Sequence, residues 1–153
     1  MNFAIGDLNN DNLPDIYFIS NIYSNKLFIN NGDLTFKEST SISKVKGNGG
    51  FPTGVTMVDI NADGLLDIYI CKSGDYPDLD YRRNELYINK GNNAEGIPTF
   101  IEDASSYGLD LPNKSGLFVK GDVKNAVIVN TPSKDRKRII FGKNDGVVQF
   151  VEY

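Results

Sequence analysis

Asp59-Ile60-Asn61-Ala62-Asp63-Gly64-Leu65-Leu66-Asp67-Ile68-Tyr69 is the stretch on which the fold turns. The same frame stands 52 residues earlier as Asp7-Leu8-Asn9-Asn10-Asp11-Asn12-Leu13-Pro14-Asp15-Ile16-Tyr17. In both copies a nine-residue acidic loop runs directly into a β-type run that opens Ile-Tyr. Working outward, Leu27-Phe28-Ile29-Asn30-Asn31-Gly32 returns as Leu86-Tyr87-Ile88-Asn89-Lys90-Gly91, an offset of 59, and Thr35-Phe36 returns as Thr99-Phe100, an offset of 64. The drift from 52 to 64 is what insertions in loops between fixed elements produce.

A period in the fifties built of short β-type runs suits a propeller blade, whereas a helical solenoid would show 3.6-residue periodicity. The first unit contains Asn2–Gly6, Asp15–Ser20, Lys26–Asn30 and Thr35–Glu38; the second contains Gly54–Val58, Asp67–Cys71, Glu85–Asn89 and Thr99–Glu102. Each run is rich in Ile, Val, Phe, Tyr or Thr and is bounded by Asn, Gly, Asp or Pro, as strands joined by turns are. Asn30-Asn31-Gly32-Asp33 supplies residues tolerant of positive φ between the third and fourth runs. No amphipathic helix stands out. Leu117–Gly121, Ala126–Asn130, Arg138–Gly142 and Val147–Val151 read as a third unit whose first loop, Asp122–Asn125, is too short and too poor in acids to repeat the pattern; the alternative is an unrelated pair of hairpins. The expected fold is therefore all-β: a partial β-propeller of two four-stranded antiparallel blades, 1–40 and 50–104, plus a degenerate C-terminal blade, 113–153.

The loops carry the chemistry. Oxygen ligands at positions 1, 3, 5 and 9, with a residue at 6 that tolerates positive φ, let a tight turn wrap carboxylates and the carbonyl of position 7 around a hard cation. The second loop would use Asp59, Asn61, Asp63, the carbonyl of Leu65, and Asp67, turning at Gly64. The first would use Asp7, Asn9, Asp11, the carbonyl of Leu13, and Asp15, with Asn12 at the turn. Calcium suits this set, giving two Ca2+ sites; magnesium demands stricter octahedral geometry. An EF-hand requires a Glu at position 12 between helices, and position 12 here is Phe18 or Ile70 inside a β-type run. Metal-free acidic turns are the alternative, since Asp and Asn are common turn formers.

Composition removes many other chemistries. The 153 residues carry 16 basic and 20 acidic side chains, a formal charge of -4, which argues against a nucleic-acid surface. With no His and only Cys71, a Cys/His zinc site, an internal disulfide and a His-dependent nucleophilic centre are all out of reach. No apolar run is long enough to span a bilayer, so no membrane insertion is expected. Each loop concentrates three carboxylates, so two Ca2+ ions would bring the formal charge from -4 to 0.

The full pattern, Asp-x-Asn-x-Asp-[Gly/Asn]-x-x-Asp, then Ile-Tyr, then Leu-[Phe/Tyr]-Ile-Asn-x-Gly and Thr-Phe, resembles the FG-GAP/VCBS repeat of integrin-α-like β-propellers. Gly54-Val55-Thr56-Met57-Val58-Asp59, Tyr69–Gly74 and Arg83–Asn89 resemble the cartilage-acidic-protein type within that group. The likeness covers roughly residues 3 to 111. It implies calcium-binding loops, a non-catalytic module for cell adhesion or other protein or glycan interaction, and an extracellular, cell-surface or periplasmic setting. Asn12 for Gly, and Asn9 and Asn61 where Asp is frequent, depart from the family pattern and lower the charge of the sites.

Propellers close with about four to eight blades, so two or three leave apolar inter-blade faces in water. The chain is expected to be the C-terminal fragment of a longer propeller completed by its remaining blades, or else to self-associate. Phe3, Ile5, Val55, Met57, Val119 and Val123 are expected to face neighbouring blades. The competing functional class is a fragment of a propeller-fold polysaccharide-processing enzyme, for which Tyr76, Tyr81, Arg82 and Arg83 form the cluster to test. Asp75, Asp78 and Asp80 share that insertion, which reads as a recognition loop or a plain polar loop. Lys134–Arg138 reads as a solvated hairpin tip or a basic docking patch, and Asn113-Lys114-Ser115 fits a glycosylation acceptor.

Overall fold

In a computed structural model the chain is described over residues 2–73 and 77–109, and in backbone terms over 123–130, 137–143 and 149–152. It is an all-β molecule with three antiparallel sheets among the described residues. The first comprises β1 (Asn2–Gly6), β2 (Asp15–Ile19), β3 (Lys26–Asn30) and β4 (Phe36–Glu38), hydrogen-bonded in that order. The second comprises β5 (Phe51–Val58), β6 (Asp67–Ser73), β7 (Glu85–Asn92) and β8 (Pro98–Glu102), again in sequence order. The third holds β9 (Val123–Asn130), β10 (Lys137–Lys143) and β11 (Gln149–Glu152). Among the described residues helix is confined to α1 (Thr40–Ser43) and a 3-10 turn at Leu79–Arg82.

The local reasons are those the sequence shows, with additions. In the first sheet the apolar residues alternate, so Tyr17 and Ile19 on β2 and Leu27 and Ile29 on β3 are buried while Ile16, Phe18 and Phe28 between them are half-buried. That is the signature of a sheet packed on one face. On β6 the run Asp67–Ile70 is buried without alternation, as is Glu85–Asn89 on β7, so the second sheet is covered on both faces. Its strands also outrun their expected limits: β5 begins at Phe51, β6 ends at Ser73 and β7 ends at Asn92. The extra length is accommodated by irregular register between Pro52 and Gly54 and between Asn89 and Asn92.

The third sheet corrects the expectation in one respect. Val123-Lys124-Asn125, taken from sequence as loop, is the opening of β9, and the described part of this sheet has three strands. β-Branched Val123 and the following Ala-Val-Ile-Val run favour a long extended strand over a four-residue turn. Leu117–Gly121 and Asn113–Ser115 lie outside the described residues, as do Tyr76, Asp75, Lys134–Arg136 and Val119.

The sheets are ordered by their first strands: β1 lies beside β5, and β5 beside β9. First strands clustered side by side, with later strands fanning outward, is the arrangement of successive blades in an open propeller. The core fills the space between the first two sheets. Ala4, Leu8, Tyr17, Ile19, Leu27, Ile29 and Val45 come from the first unit, and Val55, Met57, Leu66, Ile68, Ile70, Tyr87 and Phe100 from the second. Val55 and Met57 therefore face the neighbouring sheet as expected.

Candidate metal centre

Both acidic loops lie at one end of the sheets, joining the first strand to the second in each. Their backbones follow the same path. Asn12 and Gly64 at position 6 have φ of 69° and 86°, in the left-handed region that position 6 was expected to need. The sequence does not announce that position 4 is also left-handed, yet Asn10 and Ala62 have φ of 58° and 60°. Ala62 is the costlier of the two, because its Cβ crowds the chain in that region and it has no side-chain hydrogen bond to offset this.

The hydrogen bonds of the two loops correspond atom for atom. The carboxylate of position 1 accepts the N–H of positions 5 and 6: Asp7 accepts Asp11 (3.1 Å) and Asn12 (2.8 Å), and Asp59 accepts Asp63 (3.1 Å) and Gly64 (3.0 Å). The position 5 carboxylate accepts the N–H of position 7, from Leu13 to Asp11 (2.8 Å) and from Leu65 to Asp63 (2.9 Å). Position 3 bridges inward, its carbonyl oxygen accepting the position 5 N–H and its amide donating to the position 5 carboxylate, from Asn9 to Asp11 at 2.8 Å and from Asn61 to Asp63 at 2.9 Å.

The position 9 aspartates stand apart because both are fully buried. Asp15 accepts the N–H of Leu8 (2.9 Å) and of Asn30 (3.0 Å); Asp67 accepts those of Ile60 (3.0 Å) and Asn89 (2.8 Å). Each carboxylate thus clamps the loop's entry to the third strand of its sheet. Burial raises the pKa of both, the backbone hydrogen bonds pull it back, and the two other carboxylates of the same loop push it up again. That last contribution places the three acids of each loop within electrostatic reach of one another.

Sequence reading missed how the Asn-x-Gly after the third strand serves the loop. Asn30 donates from its side chain to the Pro14 carbonyl and accepts from Gly32 N–H; Asn89 donates to the Leu66 carbonyl and accepts from Gly91 N–H. The repeated Asn was visible, but the carbonyls it donates to lie in the acidic loops, 16 and 23 residues earlier. The loops also touch each other, with the Asn10 amide 3.4 Å from the Gly64 carbonyl. The Asn92 amide lies 2.8 Å from the Asn9 carbonyl.

Tested against a hard divalent ion, the donor set fits in kind: each loop offers oxygen only, from Asp, Asn and a free carbonyl. Asp7, Asn9, Leu13, Asp59 and Leu65 are half-buried, Asp11, Asn61 and Asp63 exposed. Among the described residues no hydrogen bond is made to the Leu13 or Leu65 carbonyl oxygen. As described, no three acidic side chains come together tightly enough to grip an ion. The acids at positions 1 and 5 and the Asn between them instead satisfy one another and the loop N–H groups, so gripping one requires side-chain rotation on a backbone already turned to suit.

Among the described residues of the second-sheet insertion there is no comparable arrangement. Asp80 accepts from Arg83 at 3.5 Å, Arg83 also contacts the Ser105 hydroxyl, and Tyr81 is exposed. Nearer the core a buried ion pair joins Lys72 to Glu85, whose other contacts are the Asn48 N–H (3.1 Å) and the Tyr87 hydroxyl. Neither Lys72 nor Glu85 was singled out in the sequence, since nothing local distinguishes them from solvated charges.

No curated protein matches the chain. The FG-GAP-like repeat family does, over residues 7–70, a stretch that runs from the first residue of the first acidic loop through the second loop and into β6. Loop, strand, Asn-x-Gly turn and loop again are the elements that the match spans, and over these residues the chain is similar to an FG-GAP-like repeat.

Proposed function

We propose that the chain is a calcium-binding, non-catalytic β-propeller module, working outside the cell or at its surface, that presents a rigid scaffold to a protein or glycan. The observation that carries this reading is the duplication of the loop. Two segments 52 residues apart share ligand types, left-handed turns at positions 4 and 6, and every internal hydrogen bond described above. Turn formation alone does not call for three carboxylates per loop, whose mutual repulsion is unfavourable without a cation.

Asp7, Asn9, Asp11, Asp15 and the Leu13 carbonyl would hold one ion; Asp59, Asn61, Asp63, Asp67 and the Leu65 carbonyl would hold the other. Bound calcium offsets most of the charge of each loop, from -3 to -1, and ties strand ends together; no open coordination position for substrate is part of the reading. Extracellular calcium modules bind at about 10⁻⁴ to 10⁻³ M, which at millimolar calcium stabilises by roughly 0.4 to 1.4 kcal/mol per site. Such affinities match an extracellular or periplasmic setting.

Isothermal titration calorimetry with CaCl2, paired with thermal unfolding in calcium and in chelator, tests the proposal. Two sites of sub-millimolar to millimolar affinity are expected. Asp63→Ala should remove one of them and lower the melting temperature in calcium more than in chelator. Absence of heat at millimolar calcium, or equal loss in both buffers, overturns the reading.

A further inference from the structure

The acidic loops join first strands to second strands; residues 20–25 join β2 to β3 and so lie at the opposite end of the first sheet. There a cavity of about 220 Å3 opens between that turn and the strap, residues 46–50, that leads into β5. Gly47, Gly49 and Gly50 of the strap line it, as does the buried Lys72 of β6. The strap is closely fitted to both sheets. A Cβ on Gly47 would stand 2.6 Å from the Asn25 amide nitrogen, and one on Gly50 would overlap the Tyr81 carbonyl oxygen. The Lys46 carbonyl accepts the Asn25 N–H at 2.9 Å, and the Asn48 amide donates to the Asp80 carbonyl at 3.3 Å. The walls are therefore set before any ligand arrives, as in most small-molecule sites.

The polar groups of this cavity are largely unengaged. Among the described residues the N–H groups of Gly47, Gly49 and Gly50 donate to no protein acceptor, although Gly47 and Gly50 are half-buried. Backbone donors drawn out of water normally find a partner. The side chains of Asn21, Ser24 and Lys46 and the Tyr23 hydroxyl likewise make no hydrogen bond to a described residue. The Ser20 hydroxyl accepts the N–H groups of Ile22 and Tyr23, at 3.3 and 3.1 Å, and keeps its own proton to donate. Charge in the lining is one-sided, with Lys46 and Lys72 and no Asp or Glu. Glu85 neutralises Lys72, so Lys46 contributes one uncompensated positive charge in a chain whose formal charge is -4.

We propose that this cavity binds the acidic sugar unit of a glycan, a hexuronate whose carboxylate meets Lys46 and the strap N–H groups. The inference rests on the glycan half of the function proposed above and not on its calcium sites. In size the cavity suits one pyranose ring, being below the roughly 300–1,000 Å3 of sites for drug-sized molecules. Small hydroxyl and amide groups around the rim match a ring of vicinal hydroxyls. The Tyr23 side chain, 77% exposed, offers its ring to the C–H face of the sugar. A phosphate, carrying up to two charges, calls for more than one free cation, and an uncharged sugar would give Lys46 no charge-assisted hydrogen bond.

The test is a titration of the 15N-labelled full chain, in calcium-free buffer, with sodium D-glucuronate, D-glucose and inorganic phosphate, read from the amide resonances of Gly47, Gly49 and Gly50. Glucuronate should shift all three with a Kd of about 1 mM, and glucose should bind roughly fivefold more weakly or worse. Lys46→Gln should weaken glucuronate roughly tenfold, the loss of one charge-assisted hydrogen bond, and leave glucose unchanged. Tyr23→Ala should weaken both sugars. Both side chains are exposed, so the variants should fold. No shift at these amides overturns the proposal, as does glucose binding as tightly as glucuronate. So does phosphate shifting the same amides with equal affinity, or glucuronate binding undiminished by Lys46→Gln. Because calcium is absent throughout, failure here leaves the two ion sites to their own calorimetric titration, and failure there leaves this result unaffected.

Discussion

The side-chain amide of Asn89 donates to the carbonyl of Leu8, 81 residues earlier, at 2.9 Å. The same amide donates to the Leu66 carbonyl at 3.1 Å. One buried Asn on β7 therefore fastens the first acidic loop of one sheet to the second acidic loop of the next. Its counterpart Asn30 makes only the local half of this arrangement, to Pro14, near the surface.

Asn89→Ala should accordingly destabilise the protein by about 2–3 kcal/mol, since it strands buried carbonyls. Asn30→Ala should cost less, on the order of 1 kcal/mol or below. Urea unfolding of the two variants checks the difference, and equal losses would remove the inter-sheet role assigned to Asn89.

Position 6 should respond in opposite directions in the two loops. Gly64→Ala meets no neighbouring atom within 4 Å, so its cost is the left-handed backbone alone, about 1–2 kcal/mol. Asn12→Gly relieves the milder penalty of Asn and should stabilise the first loop by a few tenths of a kcal/mol. Thermal melts in chelator isolate this backbone effect from any effect of calcium.

Lys72 and Glu85 are 1% and 2% exposed at their side chains, so the pair is out of water. Lys72→Met should cost about 3–5 kcal/mol, because it leaves a buried carboxylate without its cation. Replacing both, as Lys72→Met with Glu85→Gln, should recover a large part of that loss. A double-mutant cycle in urea measures the coupling; additive losses would show that the two charges act independently.

Tyr17, Tyr69 and Tyr87 are buried, and burial is the main cause holding each phenol above its ordinary value. For Tyr87 the Glu85 carboxylate adds to the effect. A group whose folded pKa is raised contributes stability that is complete below its unfolded value and is lost as pH rises above it. Stability should therefore fall above about pH 10. Absorbance at 295 nm should show these three buried phenols ionising only with unfolding; their ionisation near the ordinary value in a still-folded protein would contradict this.

Much of the architecture was legible because its signals are local. Turn residues at Asn9 to Asn12 and Asn61 to Gly64, and the apolar alternation after each Asp-Ile-Tyr, specify strand positions without help from distant chain. In the first sheet the first three strands begin where the sequence places them, and the fourth begins one residue later, at Phe36. The second sheet's strands run longer, because packing on both faces stabilises residues whose own propensity is neutral. The opening of β9 was misread for the opposite reason: a polar Lys-Asn pair inside a strand reads as a turn when no neighbour is in view.

The amino-acid sequence by itself determined the repeat, the acidic loops and the β character, since each depends on residues within a few positions of one another. Tertiary structure alone decided which face of each sheet is buried, that Asn89 reaches Leu8, and that Lys72 meets Glu85. Those relationships join residues 13 to 81 positions apart, and no local propensity encodes a partner that only packing brings within hydrogen-bonding distance.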